Sequence, residues 1–147
     1  MKNQIIKTTA ILGLFFMLAI ASVNAQTPSR IEVNIPFEFS AGKATLKAGP
    51  YSIRRASGNV LVIRSADGKT TAMIDAPLTV SSRDSKAGER LVFNQYGDQY
   101  FLSQVWMTVD TGRQLFTQGA EKRAAQEYRL ANNNAKPKRV EIAARNR

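Results

Sequence analysis

The chain contains no histidine and no cysteine. Without them neither a Ser-His-Asp nor a Cys-His constellation can be assembled, and the usual zinc, copper and iron ligand sets have no donors. Acid and base work would fall to carboxylates, lysines or tyrosines. No disulfide can staple the fold, so packing alone must hold it. Long apolar runs are scarce too: the longest, residues 10–21, covers about 12 positions where a spanning helix needs about 20. These absences argue against an enzyme and against any bound cofactor or metal. They leave a binding or structural role.

The short apolar run has a purpose of its own. Lys2 and Lys7 flank its start, and Val23-Asn24-Ala25 places small residues where a signal peptidase cuts. Residues 1–25 therefore read as a signal peptide, and the mature chain is expected to begin near Gln26. That implies a secreted product, periplasmic or extracellular, with no integral membrane segment after cleavage and no cysteine to take a lipid. About 120 residues remain, enough for one domain.

The formal net charge of the whole chain is +10. Residues 121–147 hold eight Lys or Arg against three Glu, whereas residues 26–120 hold eleven against eight. A basic end on a near-balanced body suggests attraction to an anionic envelope polymer. Envelope phosphates, acidic polysaccharide and extracellular DNA all satisfy that description, although nucleic acid is not the partner expected of such a chain. Charge alone sets no oligomeric state.

Strand signals dominate the body. Ile31, Val33, Ile35, Phe37 and Phe39 alternate with Glu32, Asn34 and Glu38, which predicts one strand with one buried face. Pro36 cannot donate to a ladder and favours an edge. Residues 40–43 read as a turn, and Leu46 begins a short segment ending at Ala48-Gly49-Pro50. Tyr51, Ile53 and Arg55 alternate with Ser52 and Arg54 up to a turn at Ser57-Gly58-Asn59. The run Val60-Leu61-Val62-Ile63 is too continuous to have a wet face. Asp67-Gly68 then predicts a type I′ hairpin pairing Ile63 with Ala72, Val62 with Met73 and Leu61 with Ile74. With both faces apolar, that hairpin is expected in the interior, with Pro77 ending its return strand and a polar loop over 81–88.

Residues 91–107, LVFNQYGDQYFLSQVWM, carry the single Trp, two of the four Tyr and two of the seven Phe. They read as a central hairpin about Gly97-Asp98, in which Phe93 faces Leu102 and Leu91 faces Gln104. Tyr100 and Trp106 would share that side, and Val92, Phe101, Val105 and Met107 the other. Two apolar faces need two covers. A second sheet or barrel wall is one candidate, and a C-terminal helix with Ala120, Ala124, Tyr128 and Ala131 along one side is the other.

The expectation is a mainly β fold: a small antiparallel β-sandwich or barrel of six to eight strands with one C-terminal helix. Its divisions are the β domain at 26–118, the helix at 119–131 and a disordered basic tail at 132–147. The segments VNIPFEFSAGKATLKAGPYSIRR, LVIRSADGKTTA and LVFNQYGDQYFLSQVW together resemble the recurring segments of a group of small, functionally uncharacterised exported proteins of acidobacteria. The resemblance covers about residues 31–130. It implies an exported β-rich domain and brings no site residues with it.

Several motifs imitate chemistry. Gly68-Lys69-Thr70 lacks the earlier glycine of a phosphate-binding loop, since Ile63 stands there. Ser40 and Lys43 have the spacing of acylating serine enzymes, which place it at a helix start in a larger fold. Both read as turns. Asp84 and Glu89 offer loop carboxylates to calcium, but Arg83, Lys86 and Arg90 crowd them. Tyr96 and Tyr100, flanking a turn, could stack on a sugar or aromatic ligand or belong to the core. Arg54, Arg55 and Arg64 on neighbouring strands could form an anion-binding face or a solvated one. Lys136, Lys138 and Arg139, with Arg145 and Arg147, could add electrostatic affinity.

Three functions compete on these grounds. The leading one is an exported, non-catalytic, envelope-associated binding module whose basic tail favours anionic polymer. A periplasmic carrier of a lipid or small apolar ligand is the alternative, and a carboxylate-based polysaccharide hydrolase the third.

Overall fold

The computed structural model describes residues 29–83 and 87–146, so the signal-peptide assignment at 1–25 lies outside the described residues. Among these residues the chain forms twelve strands and one helix, arranged as two sheets face to face. The first sheet has the order β12-β1-β4-β5-β6. It uses β1 (Arg30–Ile35), β4 (Gly49–Ser57), β5 (Val60–Ser65), β6 (Thr71–Asp75) and β12 (Arg145–Asn146). The second has the order β11-β8-β9-β10-β7, from β7 (Leu78–Ser81), β8 (Arg90–Tyr96), β9 (Gln99–Trp106), β10 (Thr111–Gln114) and β11 (Lys138–Ala143). The small hairpin β2 (Phe39–Ala41) and β3 (Ala44–Leu46) joins β9 through one parallel pairing, Ser40 with Phe101. The architecture is a sandwich, not a closed barrel.

Strands outnumber the expected six to eight in part because the predicted first strand is two and because residues 138–146 add two more. Its alternation is real, with Ile31, Val33, Ile35 and Phe39 buried. Pro36, however, ends β1 and lets the chain step from one sheet to the other. It does not mark β1 as an edge, since β1 pairs with β4 on one side and with β12 on the other.

Between the sheets the rings interlock. Phe39 meets Phe93 edge-on at 5.4 Å and Tyr51 at 5.6 Å, while Phe37 stacks on Tyr100 at 3.8 Å. Ile31, Ile35, Ile53, Leu61, Ile63 and Leu91 fill the rest. Burying each such side chain contributes about 1.5–3 kcal/mol, and a core of this kind replaces the missing disulfides.

The β5–β6 hairpin has the expected register, with Leu61, Val62 and Ile63 opposite Ile74, Met73 and Ala72. Its turn differs from the type I′ expectation. Gly68 alone has positive φ, 73°, and its N–H donates to Ser65 O at 2.9 Å, while Ser65 N donates to Thr70 O. The Asp67 carboxylate holds this wider loop by accepting from the Ser65 hydroxyl and from the Lys69 N–H. Nor is the hairpin interior: β6 is the sheet edge, and Met73 is 75% exposed.

A bulge revises the central hairpin. Phe93 does face Leu102, but the register shifts between Val92 and Phe93, so Leu91 meets Val105 and not Gln104. One extra residue on β9, Ser103, turns every later side chain over. Val105 and Met107 therefore join Tyr100, Leu102 and Phe93 at the inner core. Trp106 moves to the outer face with Phe101 and Val92, opposite to its expected side.

Both candidate covers are used. The first sheet covers the inner face, and the helix α1 (Gly119–Ala131) covers part of the outer one. The helix buries Glu121 and Ala124 and half-buries Tyr128, while Ala120 and Ala131 of the expected stripe are exposed. Glu121 decides the orientation: its Oε1 accepts from Asn94 Nδ2 at 2.8 Å and from the Tyr96 hydroxyl at 3.4 Å.

The described part of the expected disordered tail, residues 132–146, is ordered into strands over 138–143 and 145–146. After two left-handed asparagines, Asn133 and Asn134, residues 138–143 pair with residues 90–95 of β8, and 145–146 pair with β1. One short segment thus ties the same flank of both sheets. Val140, Ile142 and Ala144 supply its apolar side.

Candidate anion-binding face

The outer face of the first sheet is built by strand parity. Tyr51, Ile53, Leu61 and Ile63 turn inward, so Ser52, Arg54, Val62 and Arg64 turn outward, together with Arg30 and Glu32 of β1. Register then sets two rows across the strands. One runs Arg145, Glu32, Ser52, Arg64, Thr71, and the next runs Arg30, Arg54, Val62, Met73. Each of β12, β1, β4 and β5 contributes one arginine to this face.

The face is locally unfavourable as it stands. Arg30 and Arg54 lie directly opposite, and like charges in that relation are destabilising. Glu32 answers Arg30 at 3.4 Å. Among the described residues the guanidinium groups of Arg54, Arg64 and Arg145 make no ion pair. Arg64 folds over the turn glycine: a Cβ at Gly68 would lie 3.0 Å from Arg64 Nη2. Asp67, nearby, is committed to its turn, and the hydrogen bond from Ser65, followed by that from the Lys69 N–H, pushes its carboxyl below the ordinary value.

Two open depressions meet on this face. One of about 300 Å³ is lined by Arg30, Ser52, Arg54 and Arg64, and one of about 450 Å³ by Arg30, Glu32, Asn34, Ser52 and Arg145. They share Arg30 and Ser52, forming one trough with guanidinium groups along it. Such an array suits carboxylate or phosphate oxygens, which accept two parallel N–H bonds from one guanidinium.

The structure redistributes the remaining candidates. Arg55 leaves the group: it lines a depression at the sandwich rim with Ser29, Asp110 and Arg113. Tyr96 and Tyr100 fall on opposite faces of the second sheet and cannot grip one ligand together. Tyr100 stacks on Phe37 at the inner face, and Tyr96 packs under the helix, 6.0 Å from Tyr128. Burial first, then the Glu121 charge, raises the Tyr96 phenol above its ordinary pKa. Lys136 and Lys138 are exposed beside and within β11. Arg139 is engaged, with Nε 3.0 Å from Glu141 Oε1 and Nη2 3.3 Å from Gln104 Oε1.

The motifs that imitated other chemistries take ordinary turn positions among the described residues. Ser40 and Lys43 sit in the β2–β3 hairpin and not at a helix start, and Gly68-Lys69-Thr70 is hairpin loop. Asp84 lies outside the described residues, among which no cluster of three or more metal-ligating side chains occurs. Asp110 accepts from the Thr108 hydroxyl at 2.9 Å, which lowers its pKa and unsuits it as a general acid.

Arg30 and Arg145 were not foreseen as members of the face. The parity of the first strand was signal enough to put Arg30 outward beside Glu32. Its meeting with Arg54 required the β1–β4 pairing, and Arg145 stood in a segment expected to be unstructured.

Comparison of the chain with protein-family models, with curated proteins and with solved structures found no match.

Proposed function

We propose that this chain is an exported, non-catalytic binding module that associates with the cell envelope through an anionic polymer held on the outer face of the first sheet. The observation that carries this reading is the set of four outward arginines, three of them without a carboxylate partner among the described residues. Lys136 and Lys138, exposed near the same end of the chain, add long-range attraction. The export component rests on the signal-peptide pattern of 1–25. No helix among the described residues is long and apolar enough to cross a membrane.

The carrier alternative drew on the two apolar faces of residues 100–107. The first sheet covers the inner of those two faces, which gives packing as a reason for its apolar character.

Binding of the mature chain to acidic polysaccharide and to envelope fractions tests the reading. Affinity is expected to fall steeply with added salt, and to fall again in the double variant Arg54→Gln and Arg64→Gln. Lys122→Gln with Arg123→Gln removes equal charge from the exposed side of the helix and is expected to have little effect. Equal losses in both variants, or binding indifferent to salt, would overturn the assignment. Deleting residues 132–147 is not a usable test of the basic end, because it removes two strands; Lys136→Gln with Lys138→Gln is.

A further inference from the structure

The geometry points to an extended acidic polysaccharide, with one carboxylate per sugar residue, lying across the strands of the first sheet. This inference rests on the binding function proposed above and specifies its ligand. The four arginines come one per strand from β12, β1, β4 and β5. Adjacent strands lie about 4.8 Å apart, and diagonal neighbours about 7–8 Å apart, so successive guanidinium stems stand about 5–8 Å apart along a line of about 14 Å. That interval is of the order of one sugar ring with its linkage. A linear polyuronate can therefore set successive carboxylates on successive strands, each in the two-pronged geometry that guanidinium favours.

What lies between the arginines favours a sugar over other polyanions. Ser52 and Asn34 line the same trough, Glu32 there is paired with Arg30, and at the far end Ser65 donates to Asp67 within the turn. Ser52 and Asn34 can exchange hydrogen bonds with sugar hydroxyl groups. Single-stranded nucleic acid is held largely by stacking its bases on aromatic side chains. The two rows of this face contain none: Val62 and Met73 are their apolar members.

The test is calorimetric titration of the mature protein with oligogalacturonates of one to eight residues at constant ionic strength. Affinity is expected to rise with each residue up to four and then level off. At four residues, the double variant Arg54→Gln and Arg64→Gln should bind about tenfold more weakly or worse, and Lys122→Gln with Arg123→Gln within about twofold of the native protein. Both pairs are exposed, so circular dichroism and melting should match the parent. Affinity that keeps rising to eight residues would overturn the four-place track. Inorganic polyphosphate or an oligodeoxynucleotide of equal charge binding as tightly as the tetrasaccharide would overturn the sugar, yet leave the anion-binding function standing. No binding to any of these polyanions would remove both.

Discussion

The two outer faces of the sandwich use arginine in opposite ways. On the second sheet Arg90 is buried, its guanidinium 4.2 Å from the centre of the Trp106 ring and its Nη1 donating to Gly88 O at 3.1 Å. Its Nε lies 3.4 Å from Glu141 Oε2 without the alignment of a hydrogen bond. Glu141 also takes Arg139, which reaches Gln104, and Gln104 accepts from Trp106 Nε1 at 3.0 Å. On the first sheet the arginines are exposed and mostly without carboxylates. Burial explains Arg90, since a charge removed from water must be partnered, whereas the first-sheet arginines stay in water and need no partner. The arginines of the second sheet hold the C-terminal strand in place. Those of the first face solvent.

Three measurements would break or sharpen this contrast. Trp106→Ala should have the largest effect, about 3–5 kcal/mol of stability lost in denaturant melts. Trp106 is 3% exposed, it carries Arg90, and it lies so close over β10 that a Cβ at Gly112 would come within 2.6 Å of its ring. A loss under about 1 kcal/mol would mean that the outer layer of the second sheet is not a second core.

A smaller effect should appear at alkaline pH. The Tyr96 phenol has its pKa raised in the fold by burial and by Glu121. The fold therefore favours its protonated form. That contribution is complete below the unfolded value of about 10 and is lost as pH climbs through the higher folded value. Tyr96→Phe should flatten the decline in stability above pH 10, though only in part, because Tyr51 is raised in the same direction, by burial and then by Asp67. An unchanged slope would remove the Tyr96–Glu121 contact from the account of how the helix docks.

The smallest effect should come from the exposed face. Arg54→Gln with Arg64→Gln should leave stability within about 0.5 kcal/mol of the parent, displaced if at all toward greater stability, because it relieves the opposition of Arg30 and Arg54. Marked destabilisation in chemical melts would show that these arginines serve the fold, and the contrast between the faces would collapse.

Much of the fold was legible because its signals are local. The β5–β6 register followed from Asp67-Gly68 lying midway between two apolar runs, and it survives even though the turn is a wider loop. The pairing of Phe93 with Leu102 followed in the same way from Gly97-Asp98. Legibility failed at Ser103, where one unremarkable residue turns over the rest of β9 and sends Trp106 outward. It failed again at 138–146, whose charge concealed the alternation of Val140 and Ile142 with Glu141. That segment needs the edges of β8 and β1 to become a strand at all.

The candidate face divides along the same line. Alternation set Arg54 with Ser52 and against Arg55, because side-chain direction has a period of two, whereas the run before Arg64 read as having no wet face. Only the tertiary structure decided that Arg30 and Arg145 join them, that Arg55 departs to the rim, and that Tyr96 and Tyr100 part company. Those outcomes depend on which strands become neighbours, and on the side a sheet presents once another layer has covered its reverse. Residues far apart in the chain settle such questions by packing, for which no single stretch of sequence carries the instruction.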